Sequence, residues 1–361
     1  MVGKGGLEPP WVAPHDPKSC SSANSDTSPR SKSVDIIALC LALCSVQPDT
    51  RPVQVCLYAN LWYNVSMRLR AFELYEPVPQ LNEPHALAVL KPWIDVSNAG
   101  TLTLSRLESH LGALPLAEIA RPGNFFDFTR YRPILEIKEG RRQVQIPNTT
   151  ISYAKMREGH DFIFMHILEP HMLAETYIDS IFDLLKRFGV KRYCLIGAMY
   201  DMVPYTRPLL VTGSASNLKL QKELEVAHVV SSDYQGPTTI AYLISQLGFE
   251  IGVETLSLIT HLPQYLMVEN DYRGKKRLME VLSALYDFPL AEEDADKARE
   301  QQEQVSQIAE QFIQQEPSYR LILEQLEAYY DSRVGQAQEE TKLSPEVEKF
   351  LRDLGRRFKQ G

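Results

Sequence analysis

From Pro84 onward the chain alternates short apolar runs with longer amphipathic stretches, and most runs end in glycine, proline or an acid. Residues 162–168, FIFMHIL, are apolar almost throughout and lie between Asp161 and Pro170, as a strand buried on both faces would. Residues 86–90, 116–120 and 255–259 read as further strands. The segment 193–213 begins apolar at Cys194, Leu195 and Ile196, passes through Gly197 and Ala198, opens into a polar, proline-rich loop and turns apolar again at Leu209. A strand that ends in glycine and delivers a polar loop is how open α/β sheets build sites at their carboxyl edge. Residues 134–147 alternate apolar and polar around Glu139 and Gly140, which predicts a hairpin.

Between these runs the period lengthens. Leu104, Leu107 and Leu111 fall at helical spacing, as do Ile178, Ile181, Phe182 and Leu185. In the second of these helices Glu175, Asp179 and Asp183 precede Lys186 and Arg187, the order that complements the helix dipole, and Gly189 stops it. Gly236 and Pro237 open a helix bearing Ile240, Leu243, Ile244 and Leu247, and Leu278, Val281, Leu282 and Leu285 mark another. The strand, helix and strand around 162–194 predict a βαβ unit with parallel pairing. The expected fold is three-layer α/β/α with a mostly parallel sheet that the hairpin makes mixed, occupying a domain at 67–290.

After Pro289 the composition turns charged and Gln-rich. Ala298, Val305, Ile308 and Phe312 form a narrow seam, Glu316 and Pro317 break it, and Ile322, Leu326 and Tyr329 begin a second helix. Ser344 and Pro345 suggest the cap of a short final helix through Phe350, Leu351 and Leu354. Region 291–361 is therefore expected to be helical, either packing on its own domain or serving as an arm for self-association or for binding a partner. Residues 1–66, rich in Pro, Gly, Ser and Asn, show no periodicity over most of their length and are expected to be disordered. Their GGLEPPWVAPHDPKSC resembles the translation of a transfer-RNA gene, which makes Met67 the expected start, the alternatives being a genuine disordered tail or a targeting segment with its apolar run at 34–46.

Composition narrows the function. The chain has 361 residues, is 44% hydrophobic and carries a formal net charge of −8, so it can bury a core and lacks the basic surplus of a nucleic-acid binder. No run approaches the ~20 apolar residues that span a bilayer, and four of five cysteines fall in the first 56 residues, so a cytoplasmic protein without nucleic-acid or membrane partners is expected. No phosphate loop, dinucleotide fingerprint, nucleophile elbow or zinc pattern appears. His166, Glu169 and His171 match no standard metal spacing, and neither a metal nor a cofactor is expected.

Polar and proline residues do recur after consecutive strands. Glu169 and Pro170 follow one; Asp201, Pro204, Tyr205, Thr206, Arg207 and Pro208 follow the next; His261, Pro263 and Tyr265 follow another. The turn Gly236, Pro237, Thr238 leads into a helix whose free amides could hold an anion. These residues could line a pocket for a small anionic or ribose-bearing ligand. Alternatively, Arg207 pairs with Glu169 and merely locks two loops.

In order and spacing, Glu169-Pro170, Gly197-Ala198, the run Pro204 to Pro208, Gly236-Pro237-Thr238 and Leu262-Pro263-Gln264-Tyr265 resemble the motifs of the proteasome assembly chaperone 2 family. The resemblance implies a phosphorylase-like three-layer fold, homo-oligomers, a helical carboxyl-terminal region and action on a protein client. It departs from the family where Gln264 replaces a usual histidine and where the chain reads Phe358-Lys359-Gln360-Gly361 in place of a proteasome-docking tail.

Overall fold

The computed structural model describes residues 66–334. The expectations for residues 1–65 and for a helix near 344–354 lie outside them. In chain order the strands and helices are β1 (Ser66–Leu69), β2 (Phe72–Tyr75), β3 (His85–Lys91), α1 (Ala99–Leu111), β4 (Leu114–Ile119), β5 (Ile134–Lys138), β6 (Arg141–Gln145), β7 (Thr150–Ala154), β8 (Phe162–Leu168) and α2 (Ala174–Phe188). There follow β9 (Arg192–Asp201), β10 (Val211–Ala215), α3 (Leu218–Val226), β11 (Val230–Ser231), α4 (Ile240–Glu250), β12 (Glu254–Pro263), α5 (Tyr272–Tyr286), α6 (Glu292–Gln315) and α7 (Ser318–Val334).

Ten strands form one sheet in the order β1-β2-β4-β7-β8-β3-β9-β12-β10-β11. Its centre, β8-β3-β9-β12, is parallel. The antiparallel pairs β1-β2, β2-β4, β4-β7 and β7-β8 flank it on one side, and β10 pairs antiparallel to β12 on the other. Three layers result. Ala86, Ala88, Leu90, Ile163, Met165, Tyr193 and Leu195 face α2 and α4, whereas Leu87, Val89, Phe164, Cys194, Ile196 and Leu258 face α1, α3 and α5. Alternation within strands that are apolar on every residue is what lets each of them feed two cores.

Two expectations change. The strands β8 and β9 are parallel as predicted, but β3 lies between them, because periodicity says that a strand is buried and not who its neighbours are. The 134–147 hairpin forms, yet as a separate two-stranded ribbon, so the sheet is mixed for a different reason, the β1-β2-β4-β7 flank.

The carboxyl edge depends on one close approach. At Gly197 an added Cβ would lie 2.3 Å from the Ile94 carbonyl oxygen, so the backbone after β3 can pass directly over β9 only where there is no side chain. There Ala198 N donates to Ile94 O at 2.8 Å, and Asp95 then accepts from Gly100 and Thr101 amides at 2.8 and 3.1 Å to start α1.

The helices α6 and α7 pack back onto this framework. Asp294 near the start of α6 sits among Lys275 (2.6 Å) and Arg106 (3.1 Å). Farther along, Val305 and Ala309 of α6 and Leu326 of α7 bury against Tyr205, Tyr265 and Leu266. Among the described residues no helix is long and apolar enough to cross a membrane.

Candidate functional site

The loops after β8, β3, β9 and β12 all leave the same edge of the sheet, and their polar side chains sort into three groups. In the first, Glu169 Oε1 accepts from Ile240 N (3.1 Å), so the first amide of α4 receives the protein's own carboxylate. Burial pushes the Glu169 carboxyl above its usual range, its Oε2 is buried without a hydrogen bond, and Tyr131 donates to the Glu169 carbonyl at 3.1 Å. Pro170 continues this loop half-buried, while Gly236, Pro237 and Thr238, which lead toward α4, are exposed.

The second group is the Pro204–Pro208 loop with Pro263 and Tyr265. Tyr265 Oη accepts from Tyr205 N and donates to Val203 O, both at 3.1 Å, which ties the loop after β9 to the one after β12. Pro204 and Pro263 are buried beside these bonds. The α6 and α7 helices complete the group. Gln302 donates to Tyr205 O at 3.0 Å, Thr206 donates to Glu327, and Tyr330 donates to Pro208 O at 2.7 Å. Arg207 forks onto Asp331 at 3.0 and 2.9 Å and reaches Glu327 at 3.3 Å. The guanidinium thus pairs with acids of α7 and not with Glu169, a partner choice that depends on a helix more than 120 residues later in the chain.

The third group is one that sequence reasoning did not assemble. His261 Nδ1 lies 2.7 Å from Asp201 Oδ2, His261 Nε2 lies 2.8 Å from Thr212 Oγ1, and Arg333 of α7 adds a 3.3 Å contact to Asp201. Burial alone would raise the Asp201 carboxyl, but its bond to His261 and the nearby charges hold it below its usual range. An acid, imidazole and hydroxyl in line is the geometry of a proton relay. Here Thr212 and His261 are each 5% exposed, so the hydroxyl has almost no open side. The available signal was the pair Asp201 and His261 at the ends of two strands that prove to be adjacent and parallel.

The three residues considered as metal ligands diverge. His166 Nε2 turns to Glu108 at 2.9 Å on the α1 side, His171 Nδ1 accepts from Asp127 N at 3.2 Å, and Glu169 caps α4. No cluster of three or more His, Cys, Asp or Glu side chains suited to a metal occurs among the described residues.

A model of the PAC2 family matches residues 89–310, a span that contains the strand-end loops of all three groups but not their α7 partners Glu327, Tyr330, Asp331 and Arg333. The chain belongs to the PAC2 family. Among solved structures, a PAC2 family protein from Streptomyces avermitilis is 23% identical, with a TM-score of 0.58 over 63% of this chain and 96% of that one. A protein of unknown function from Mycobacterium tuberculosis is also 23% identical, with a TM-score of 0.62 over 86% and 100% of the two chains. PbaB, an archaeal proteasome activator from Pyrococcus furiosus, is 17% identical, with a TM-score of 0.54 over 66% and 97%. At these identities the structural likeness establishes the PAC2 fold. No curated protein sequence matches the chain significantly.

Two outcomes follow from the second group. Tyr265→Phe leaves a buried N–H and a buried carbonyl unpaired and is expected to cost about 1–3 kcal/mol, read by urea denaturation. Arg207 is one-third exposed, so Arg207→Ala should leave the urea midpoint close to wild type while speeding amide hydrogen exchange in α7.

Proposed function

We propose that this PAC2 family member acts without catalysis, as an assembly-chaperone-like homo-oligomer that works through protein contacts, with 67–290 as its α/β domain and 291–361 as its helical arm. The observation that carries this reading is how the carboxyl edge is filled: Glu169 occupies the α4 amino terminus, and Arg207 is held by α7. That leaves the outer surface, including the apolar ribbon of β5 and β6, as the means of action. The archaeal proteasome activator among the structural relatives supports a protein client, whose identity is open. The test is affinity purification at native expression with quantitative mass spectrometry. A stoichiometric client that survives a salt wash is expected; recovery of this chain alone would overturn the reading.

One observation favours a second reading, a small-ligand protein or enzyme: the Asp201, His261 and Thr212 relay. A thermal-shift panel of nucleosides, nucleotides and phosphate decides it, since a ligand at ~100 times its Kd stabilises by roughly 2.7 kcal/mol. A shift lost in Asp201→Asn would establish this reading; no shift across the panel removes it.

A further inference from the structure

The ribbon is amphipathic, and among the described residues nothing covers its apolar face. Leu135 pairs with Val144, and Ile137 with Arg142, so these four side chains share one face, which Ile146 extends just past β6. The other face carries Glu136, Lys138, Arg141, Gln143 and Gln145, with Ile134 at its base. On the apolar face Ile137 is 73% and Val144 60% exposed. A lone two-stranded hairpin is marginal in water at best, so such a face calls for a partner.

A second bare surface lies on α4. Ile240, Ala241, Ile244 and Gly248 face the core; on the outer surface Tyr242 and Phe249, the latter 61% exposed, lie along one flank and Leu243 and Leu247 along the other, with Gln246 and Glu250 between them. The base of the ribbon and the start of α4 are near each other in one chain, through Tyr131, Glu169 and Ile240. Even so, both apolar faces remain exposed, so the ribbon does not cover its own α4.

We propose that the β5-β6 ribbon of one copy lies along α4 of the next copy, apolar face to apolar face. This rests on the homo-oligomeric reading given above and names its contact. Two features fit a second copy of the chain. The lengths agree, at ~17 Å for a five-residue strand and ~16 Å for an eleven-residue helix. Charge sets the direction: exposed Arg142 lies near the ribbon's tip and exposed Glu250 ends α4, and neither forms an ion pair among the described residues, so the tip points to the helix's carboxyl end. Each protomer both gives and receives a ribbon, so every copy in the assembly makes the contact twice, once with each neighbour. The two surfaces differ, so the contact is heterologous, the kind that builds rings or open chains of copies.

Light scattering after gel filtration tests this on the full chain, with circular dichroism confirming that each variant folds. Wild type is expected to be oligomeric at ~10 μM. Ile137→Asp in the ribbon and Leu247→Asp on α4 should each reduce the assembly to monomer, and mixing the two should restore one good contact and yield a dimer. Arg142→Glu and Glu250→Arg should each weaken assembly at least tenfold in concentration, and the double variant should recover it. If α4 variants assemble as wild type does, or if the mixture stays monomeric, the ribbon's receiver is not α4 and the inference falls, while the homo-oligomer stands. A monomeric wild type overturns both. A monomer in which Leu247→Asp exposes residues 1–65 to protease would instead assign α4 to the chain's own amino-terminal segment.

Discussion

Gly197→Ala is expected to destabilise the protein by about 3 kcal/mol or more, the upper range for overpacking. The new methyl, fixed to the β9 backbone, would meet the Ile94 carbonyl oxygen at 2.3 Å, and that oxygen belongs to the backbone just after β3, so neither can swing aside. Relief requires separating the segment after β3 from β9. That breaks the Ala198 to Ile94 bond and moves Asp95, which starts α1. Since domains are typically stable by 5–15 kcal/mol, urea denaturation should show a large drop in midpoint. Gly248→Ala is the control. Its methyl meets only Thr255 Cγ2 at 3.1 Å, and a helical alanine recovers up to ~1 kcal/mol, so a change within about 1 kcal/mol is expected. Equal effects at the two sites would refute the account of the carboxyl edge.

The second large effect concerns acid. His85 is 6% exposed at the amino edge of the sheet, stacks on His160 with ring centroids 4.1 Å apart, and makes no hydrogen bond through Nδ1. Burial first, then the nearby His160 and Arg192, lowers its pKa to about 3, below the 6.5 of an unfolded chain. A depressed histidine contributes stability that is complete above pH 6.5 and is lost as pH falls from 6.5 toward 3, because the unfolded chain takes up the proton first. The slope approaches about 1.4 kcal/mol per pH unit, so roughly 2 kcal/mol should be gone by pH 5. Carboxylates such as Asp201 add their own acid lability, so the informative quantity is a difference. His85→Phe, set among Phe162 and Tyr286, should flatten the stability curve between pH 6.5 and 4 relative to wild type. Parallel curves would exclude this role for His85.

Much of the fold was legible because burial imposes a period. FIFMHIL gave β8 with its observed bounds, the Ile178, Ile181, Phe182 and Leu185 stripe lies on the buried side of α2, and Gly189 ends that helix in the left-handed region at φ 66°. The weaker elements left no such mark. At β7 only Ile151 and Ala154 are buried, and α3 buries only Leu220 and Leu224, so neither carried a full stripe. The hairpin was visible from its alternation, but its separation from the main sheet was not, since alternation reports two unlike faces and not what covers either one.

The candidate site divides in the same way. Local order along the chain determined that polar, proline-braced loops follow the inner strands and that the ordered motifs belong to one family, although the strand expected to end at Gly197 runs on to Asp201, with the glycine inside it to let the Ile94 backbone cross. Only the tertiary structure decided the partners: Glu169 with the α4 amino terminus, Arg207 with Asp331, Asp201 with His261 and Thr212. Sequence periodicity records whether a position meets solvent or core, a property of one residue and its near neighbours. Which acid meets which cation is set by strand order and helix docking across separations of 60 to more than 120 residues, and that choice exists only once the layers have packed.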